Sequence, residues 1–234
     1  MDYTDTRMPP SSAEQLARAI DHTLLDPGAG KDTVRSLCRE AAERRFAAVC
    51  VYPWWVPMAR AELDGAAAVC TVVALHGLDS TRAKCGAARA AIAGGADEVD
   101  VVLAYAALRG GDAAAAGRDI AEVVAAARAE RGDAVVRVIV EAGELTADQL
   151  AAACRLVAES GADFAKTSTG TRGGATVEAV SFMRRALPGE VAVKASGGIR
   201  TLAAAQALLA AGATRLGTSS GVGILDELEA HAVA

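Results

Sequence analysis

The sequence predicts a single-domain (β/α)8 barrel, and three observations predict it. Eight apolar runs of strand length alternate with longer Ala-rich helical segments along the whole chain. Several loops before strands repeat a Gly-Ala-polar pattern, at residues 95–97, 161–163 and 212–214, as a barrel of equivalent helix-to-strand units would. No Pro/Ser-rich linker or charge block divides the 234 residues, a length that one barrel domain occupies.

The expected strands are residues 21–25, 47–52, 69–75, 98–103, 135–141, 164–167, 191–195 and 215–218. The expected helices are 33–45, 56–63, 81–93, 113–130, 147–160, 176–187, 202–211 and one from 222. Each strand is followed by a helix, which argues for a parallel sheet. An open doubly wound sheet is the rival, but it has fewer strands and places G-x-G-x-x-G after the first. Nothing like that follows Leu25. The barrel is expected over residues 13–234, and residues 1–12, with Pro9-Pro10, read as a partly disordered lead-in.

Hydrophobic residues make up 52% and charged residues 23%, with a net charge of -5. That balance carries no electrostatic footprint for nucleic acid or an acidic membrane. No apolar stretch reaches the roughly 18 residues of a membrane span. The N-terminus lacks the basic start and apolar run of a signal peptide. Cys38, Cys50, Cys70, Cys85 and Cys154 form no C-x-x-C pair, so free thiols in a reducing cytoplasm are expected. With three histidines and no ligand-spaced cluster, no metal is expected.

Lysine usage is the sharpest signal. Only four of the 24 cationic residues are Lys: Lys31, Lys84, Lys166 and Lys194. Lys31 and Lys84 sit in polar stretches and read as solvated surface. Lys166 and Lys194 end buried strands, at the barrel face where chemistry belongs. Arg cannot replace Lys as a nucleophile, because guanidinium is not deprotonated, whereas an amine can be tuned down from about 10.4. Two ammonium groups on adjacent strands, roughly 4.8 Å apart, repel one another, and burial adds desolvation; both effects lower an amine pKa. A rim pair neutralised by carboxylates is the plainer alternative.

Asp100 shares a strand face with Glu98 by alternation. It could shuttle protons to the lysines or merely neutralise one, and spacing alone leaves both open. Ser196-Gly197-Gly198 and Gly217-Thr218-Ser219-Ser220-Gly221 follow the last two strands. Glycine allows close approach, and a helix N-terminus offers free N–H groups to an anion. Thr167-Ser168-Thr169-Gly170 could add donors. Asp21 could meet a lysine across the barrel. His22 reads as a hydrogen-bonded core histidine, His76 as a substrate contact, and Glu141 as a residue that orients a lysine. Trp54 and Trp55 point in different directions, and an exposed one would suit an interface. His231 is assigned no role.

These segments, with Ile20-Asp21-His22-Thr23-Leu24-Leu25 and Val49-Cys50-Val51-Tyr52-Pro53, occur in order over nearly the whole chain. Lys166-Thr167-Ser168-Thr169-Gly170 followed by Lys194-Ala195-Ser196-Gly197-Gly198 is the most specific part. Together they resemble the 2-deoxyribose-5-phosphate aldolase family. The resemblance implies a class I lyase of deoxyribose phosphate catabolism that uses no metal or organic cofactor. It implies Lys166 as the Schiff-base lysine, Lys194 as the lysine that perturbs it and assists proton transfer, and Asp100 as a proton donor and acceptor. Gly170, Thr171, Gly197, Gly198, Ser219 and Ser220 would surround the sugar phosphate, with Asp21, Thr23, Cys50 and Thr169 as accessory candidates. Expected partners are sugar phosphates and aldehydes, and a homodimer or higher homo-oligomer is permitted.

Three loops depart from the family pattern. Ala74-Leu75-His76-Gly77 replaces the usual Phe-Pro after strand three, and Leu103-Ala104-Tyr105-Ala106 is unusual after strand four. Thr171-Arg172-Gly173 is about a residue short, and the chain ends at Ala234 without the terminal tyrosine of some members. Two other readings stay open from the sequence: a Schiff-base aldolase for a different aldehyde, and a non-catalytic phosphate-binding barrel.

Overall fold

A computed structural model describes residues 12–233. The lead-in expected over residues 1–12 lies outside the described residues except for Ser12, whose hydroxyl caps the first helix. The chain order is α1 (Ala13–Arg18), β1 (Ile20–Leu24), α2 (Lys31–Arg44), β2 (Ala48–Val51), α3 (Val56–Leu63), β3 (Ala68–Val73), α4 (Thr81–Ala93), β4 (Glu98–Val102), α5 (Tyr105–Arg109), α6 (Ala113–Glu130), β5 (Val135–Ile139), α7 (Ala147–Glu159), β6 (Phe164–Lys166), α8 (Val177–Ala186), β7 (Ala192–Ser196), α9 (Leu202–Ala210), β8 (Arg215–Thr218) and α10 (Gly221–Val233). The eight strands are parallel and close in sequence order, β8 pairing with β1.

Six helices start where a short polar side chain offers an acceptor, α1 at Ser12 among them. Ser80, Asp112, Thr176 and Thr201 cap α4, α6, α8 and α9, and Thr146 with Gln149 forms a capping box on α7. The Gly-Ala-polar repeat acquires a purpose. Gly95, Gly161 and Gly212 adopt positive φ, ending the helix. The carboxylates of Asp97 and Asp163 then accept the N–H groups of Val69 and Val136 on the preceding strands, both at 2.8 Å.

Strand alternation separates two interiors. Outward residues such as Val49, Val51, Val99, Val101, Val136, Val138 and Val193 join the helix faces in one large apolar cluster. Inside the barrel a small separate apolar cluster is formed by Ala48, Cys50 and Cys70, with Leu25 and Ala68 against them, and the Phe164 ring lies under Arg137. The hydrophobic core is therefore the layer between barrel and helices. All five cysteines are free, four of them buried, and burial pushes the Cys38 and Cys154 thiols up to about 11.

Some expected boundaries shift for local reasons. The runs expected to continue through residues 75 and 141 leave the sheet at residues 73 and 139, because Ala74 and Glu141 turn into the left-handed region, each with φ 54°. The short helix α5 was not expected; five residues carry too little periodicity to register. Among the described residues, no helix is long and apolar enough to cross a membrane.

Lys84 corrects the expectation of a solvated surface lysine. It is fully buried on the strand side of α4. Its Nζ lies 2.6 Å from Asp119 Oδ2 and donates to the Val102 carbonyl at 2.9 Å. Thr81 donates to the other Asp119 oxygen at 2.8 Å. The surrounding stretch is polar on one helix face only, and Lys84 occupies the other. Replacing Lys84 with Met strands a buried carboxylate, so K84M lowers unfolding stability by about 3–5 kcal/mol in urea titration.

Candidate active site

Lys166 and Lys194 are direct register partners on β6 and β7. Their ammonium groups do not face each other bare. Asp100 Oδ2, from β4, lies 2.8 Å from each Nζ. Lys194 also contacts Asp21 Oδ2, from β1, at 2.6 Å. The expected meeting of Asp21 with a lysine thus falls on Lys194.

Below these residues the barrel interior continues as a buried charge network. Arg137 Nη1 reaches Asp21 at 3.1 Å and Asp100 at 3.2 Å, and its Nη2 contacts Glu98. Arg215 pairs with Asp21 at 2.6 Å and Glu98 at 3.3 Å. The Arg137 guanidinium also stacks over the Phe164 ring, 5.1 Å from its centroid. The layers of branched apolar side chains usual in such barrels are here replaced by ion pairs. Asp21, Glu98 and Asp100 face Arg137, Lys166, Lys194 and Arg215, all buried, so the interior holds one more cationic side chain than carboxylates.

For Lys194 this geometry corrects the expectation that a neighbouring ammonium group and burial lower an amine pKa. Burial and Arg137 act to lower the Lys194 pKa, but Asp100, Asp21 and Cys70 outweigh them and raise it. Burial likewise acts to raise Asp100, yet Lys166, Lys194 and Arg137 hold it well below the usual carboxylate range. Asp21 is depressed in the same way by Arg215, Lys194 and Arg137 against its burial.

A cavity of about 370 Å³ opens at the C-terminal strand ends, with Lys166 in its lining, within the size of small-molecule sites. Of the expected binding residues, Gly170, Thr171, Gly197, Gly198 and Ser219 line it, as do Thr23 and Thr169. Ser220 does not: its N–H is taken by Thr218 Oγ1 at 2.9 Å as the chain enters α10. Asp21, Asp100, Lys194 and Cys50 lie outside the lining, buried in the barrel. His76 is exposed and away from the cavity, which overturns its expected substrate contact. His22 meets its expectation, buried with Nε2 2.7 Å from Glu40.

The turns after β6 and β7 touch backbone to backbone. A Cβ on Gly174 would lie 2.5 Å from the Gly197 carbonyl oxygen, and one on Gly197, at φ 87°, would lie 2.9 Å from Gly170 Cα. Only glycine fits that contact. Ser168 donates to the Ser196 carbonyl and Ser196 to the Ser168 carbonyl, both at 2.6 Å. The Thr167 hydroxyl accepts the Ser196 N–H at 3.1 Å. The Thr167 and Ser168 hydroxyls, expected as ligand donors, instead lock the two turns together. Glu141 does not orient a lysine; its carboxylate accepts the Thr169 N–H at 3.2 Å.

Sequence reasoning missed Arg200, Asp26, Leu24, Leu25 and Ile199 in the cavity wall. It also missed Arg137 and Arg215 as the floor. An arginine inside the apolar run Val135-Val136-Arg137-Val138-Ile139 was a readable signal of a buried ion pair. Among the described residues, Cys50, Cys70 and Asp100, and Asp21, Cys70 and Glu98, have metal-ligand spacing. These donors are already engaged: Arg137 Nη1 donates to Cys70 Sγ at 3.3 Å, and the carboxylates hold guanidinium or ammonium groups.

The DeoC/LacD family aldolase model matches residues 15–226. The chain belongs to this aldolase family. It is 46% identical over 213 residues to the deoxyribose-phosphate aldolase of Brevibacillus brevis, covering 90% of this chain and 95% of that one. It is 47% identical over 220 residues to the deoxyribose-phosphate aldolase of Carboxydothermus hydrogenoformans, covering 93% and 96%. Among solved structures, a putative deoxyribose-phosphate aldolase from Coccidioides immitis aligns with a TM-score of 0.89 at 40% identity, over 95% of this chain and 88% of the other. The tetrameric deoxyribose phosphate aldolase from Aeropyrum pernix aligns with a TM-score of 0.88 at 31% identity, over 98% of each. The family departures after strands three and four fall outside the cavity lining.

The depressed carboxylates set an acid limit on stability. A carboxylate whose folded pKa is lowered contributes stability above its unfolded value, about 3.9, and loses it as pH falls. Native Asp21 and Asp100 refuse protons that the unfolded chain accepts, so the urea midpoint falls as pH drops below about 5. Because the pairs are buried, this acid slope persists in 0.5 M salt (roughly a 4 Å screening length). A flat acid arm, or one abolished by salt, would contradict the buried network.

Proposed function

We propose that this chain cleaves 2-deoxy-D-ribose 5-phosphate reversibly to D-glyceraldehyde 3-phosphate and acetaldehyde, with Lys166 as the Schiff-base residue. The observation that carries the assignment of Lys166 is its position: of the two central lysines, it alone lines the cavity and has one carboxylate partner rather than two. The interior carries one cation more than its carboxylates balance.

Neutral Lys166 adds to C1 of the open-chain sugar, and loss of water gives an iminium. The iminium draws in the electrons of the C2–C3 bond as the C3 hydroxyl gives up its proton. Glyceraldehyde 3-phosphate leaves, and an enamine remains on Lys166. Protonation at C2 and addition of water release acetaldehyde and the free amine. Asp100, 2.8 Å from both ammonium groups, is placed to carry protons between Lys194 and the reacting amine. Lys194, kept charged by Asp100 and Asp21, serves as the donor.

The phosphate is assigned to the turns after β7 and β8, with Gly170 and Thr171 of the turn after β6 closing the same end of the cavity. Gly197, Gly198 and Ser219 line that side of the cavity with the exposed Arg200, and α10 begins at Gly221 just behind. Free N–H groups, a helix start and a cation suit a dianion. Trp54, 82% exposed on the active face, supports a homo-oligomer, as does the tetrameric Aeropyrum relative.

Borohydride reduction with acetaldehyde, followed by peptide mass mapping, tests the nucleophile. A stable adduct is expected on Lys166, and an adduct on any other lysine overturns the assignment. K166A is expected to lose more than about 10⁴-fold in retro-aldol rate. K166R keeps a cation beside Asp100 but offers no nucleophile, so it is expected to be equally inactive while retaining the wild-type unfolding midpoint.

A further inference from the structure

Glu141 is held in a conformation and an environment that both disfavour it. It follows β5 with φ 54° and ψ 57°, the left-handed region, where a side chain with a Cβ is strained. Its carboxylate is buried, at 2% exposure, and among the described residues no cation pairs with it, whereas nearby Glu144 pairs with Arg109 and Arg172. Its hydrogen bonds go to one group, the Thr169 N–H, at 3.2 Å and 3.4 Å. A strained backbone and a buried carboxylate converge on a single contact.

That contact extends a register that β6 itself has stopped supplying. Val140 donates its N–H to the Lys166 carbonyl at 2.9 Å, and Ala142 donates to the Thr167 carbonyl at 2.8 Å. These bonds hold the residues up to the end of β6, and the Glu141 side chain reaches two residues further. Thr169 then fixes its neighbour: its Oγ1 accepts the Thr171 N–H at 3.1 Å and lies 2.8 Å from Thr171 Oγ1. Thr169, Gly170 and Thr171 form one wall of the cavity.

We propose that Glu141 is a positioning residue that sets the Thr169-Gly170-Thr171 wall, and through it the affinity for the phosphate end of the substrate, without acting on Lys166. The proposal rests on the aldolase reading above, in which that wall contacts the sugar phosphate. Lys166 keeps its backbone bonds from Val140 and its partner Asp100 whatever residue 141 carries, so amine reactivity and phosphate affinity separate.

Two substitutions test it. E141G removes the carboxylate and also relieves the left-handed strain, since glycine adopts that region freely. E141Q keeps an oxygen acceptor for the Thr169 N–H. For E141G, KM for deoxyribose 5-phosphate is expected to rise roughly ten-fold or more, with kcat and borohydride trapping of acetaldehyde at Lys166 within about two-fold of wild type. Its thermal midpoint is expected to be unchanged or higher. The kcat/KM for unphosphorylated 2-deoxyribose is expected to stay within about two-fold, and E141Q to restore KM to within about three-fold. E141G with wild-type KM overturns the proposal. So does a parallel fall in midpoint, trapping and kcat, or an E141Q no better than E141G. Wild type that fails to cleave the C2–C3 bond of deoxyribose 5-phosphate overturns the aldolase reading instead, which separates the two failures.

Discussion

Asp100 lies between two ammonium groups inside a closed barrel, with one oxygen 2.8 Å from each. A carboxylate or an ammonium group taken out of water alone is strongly unfavourable. Three elements, β4, β6 and β7, must therefore present these side chains at one point, and the remaining network follows. Arg137 bridges Asp100 to Asp21 and Glu98, and Arg215 closes the ring from β8. Six strands, β1 and β4 to β8, are tied through their interior by charge as well as by their ladders.

A polar barrel interior moves the apolar work elsewhere. The valines of the strands face outward into the helix layer, and that layer carries most of the hydrophobic stabilisation. The interior is left free for chemistry, with its carboxylates unequally shared. Lys194 has two of them and Lys166 one. That asymmetry, together with access to the cavity, distinguishes two residues that look alike in the sequence.

Above the charges, the cavity wall is made largely of backbone. The turns after β6 and β7 approach so closely that only glycine fits at Gly174 and Gly197, and the hydroxyls of Ser168 and Ser196 cross-link them. Hydroxyl-rich turns near an active site need not be ligand donors. Here Thr167 and Ser168 are consumed in holding the turns in place, while Thr169 and Thr171 face the cavity. The same turn is held from the other side by Glu141, so its position is set by both neighbouring strands.

The amino-acid sequence alone determined the barrel, because strand-length and helix-length periodicity, caps and Gly-Ala-polar stops are local properties of consecutive residues. It also singled out Lys166, Lys194 and Asp100, because lysine is scarce in an Arg-rich chain and an acid inside an apolar strand is conspicuous. Which lysine has fewer carboxylate partners, whether Lys84 faces water or Asp119, and whether Ser220, His76 or Glu141 meets the cavity were decided only by the tertiary structure. Each depends on distances between residues far apart in the chain, as with Asp21 and Lys194. The left-handed turns at Ala74 and Glu141 also lay beyond the sequence, since neither residue type favours that conformation and only the packed loops impose it.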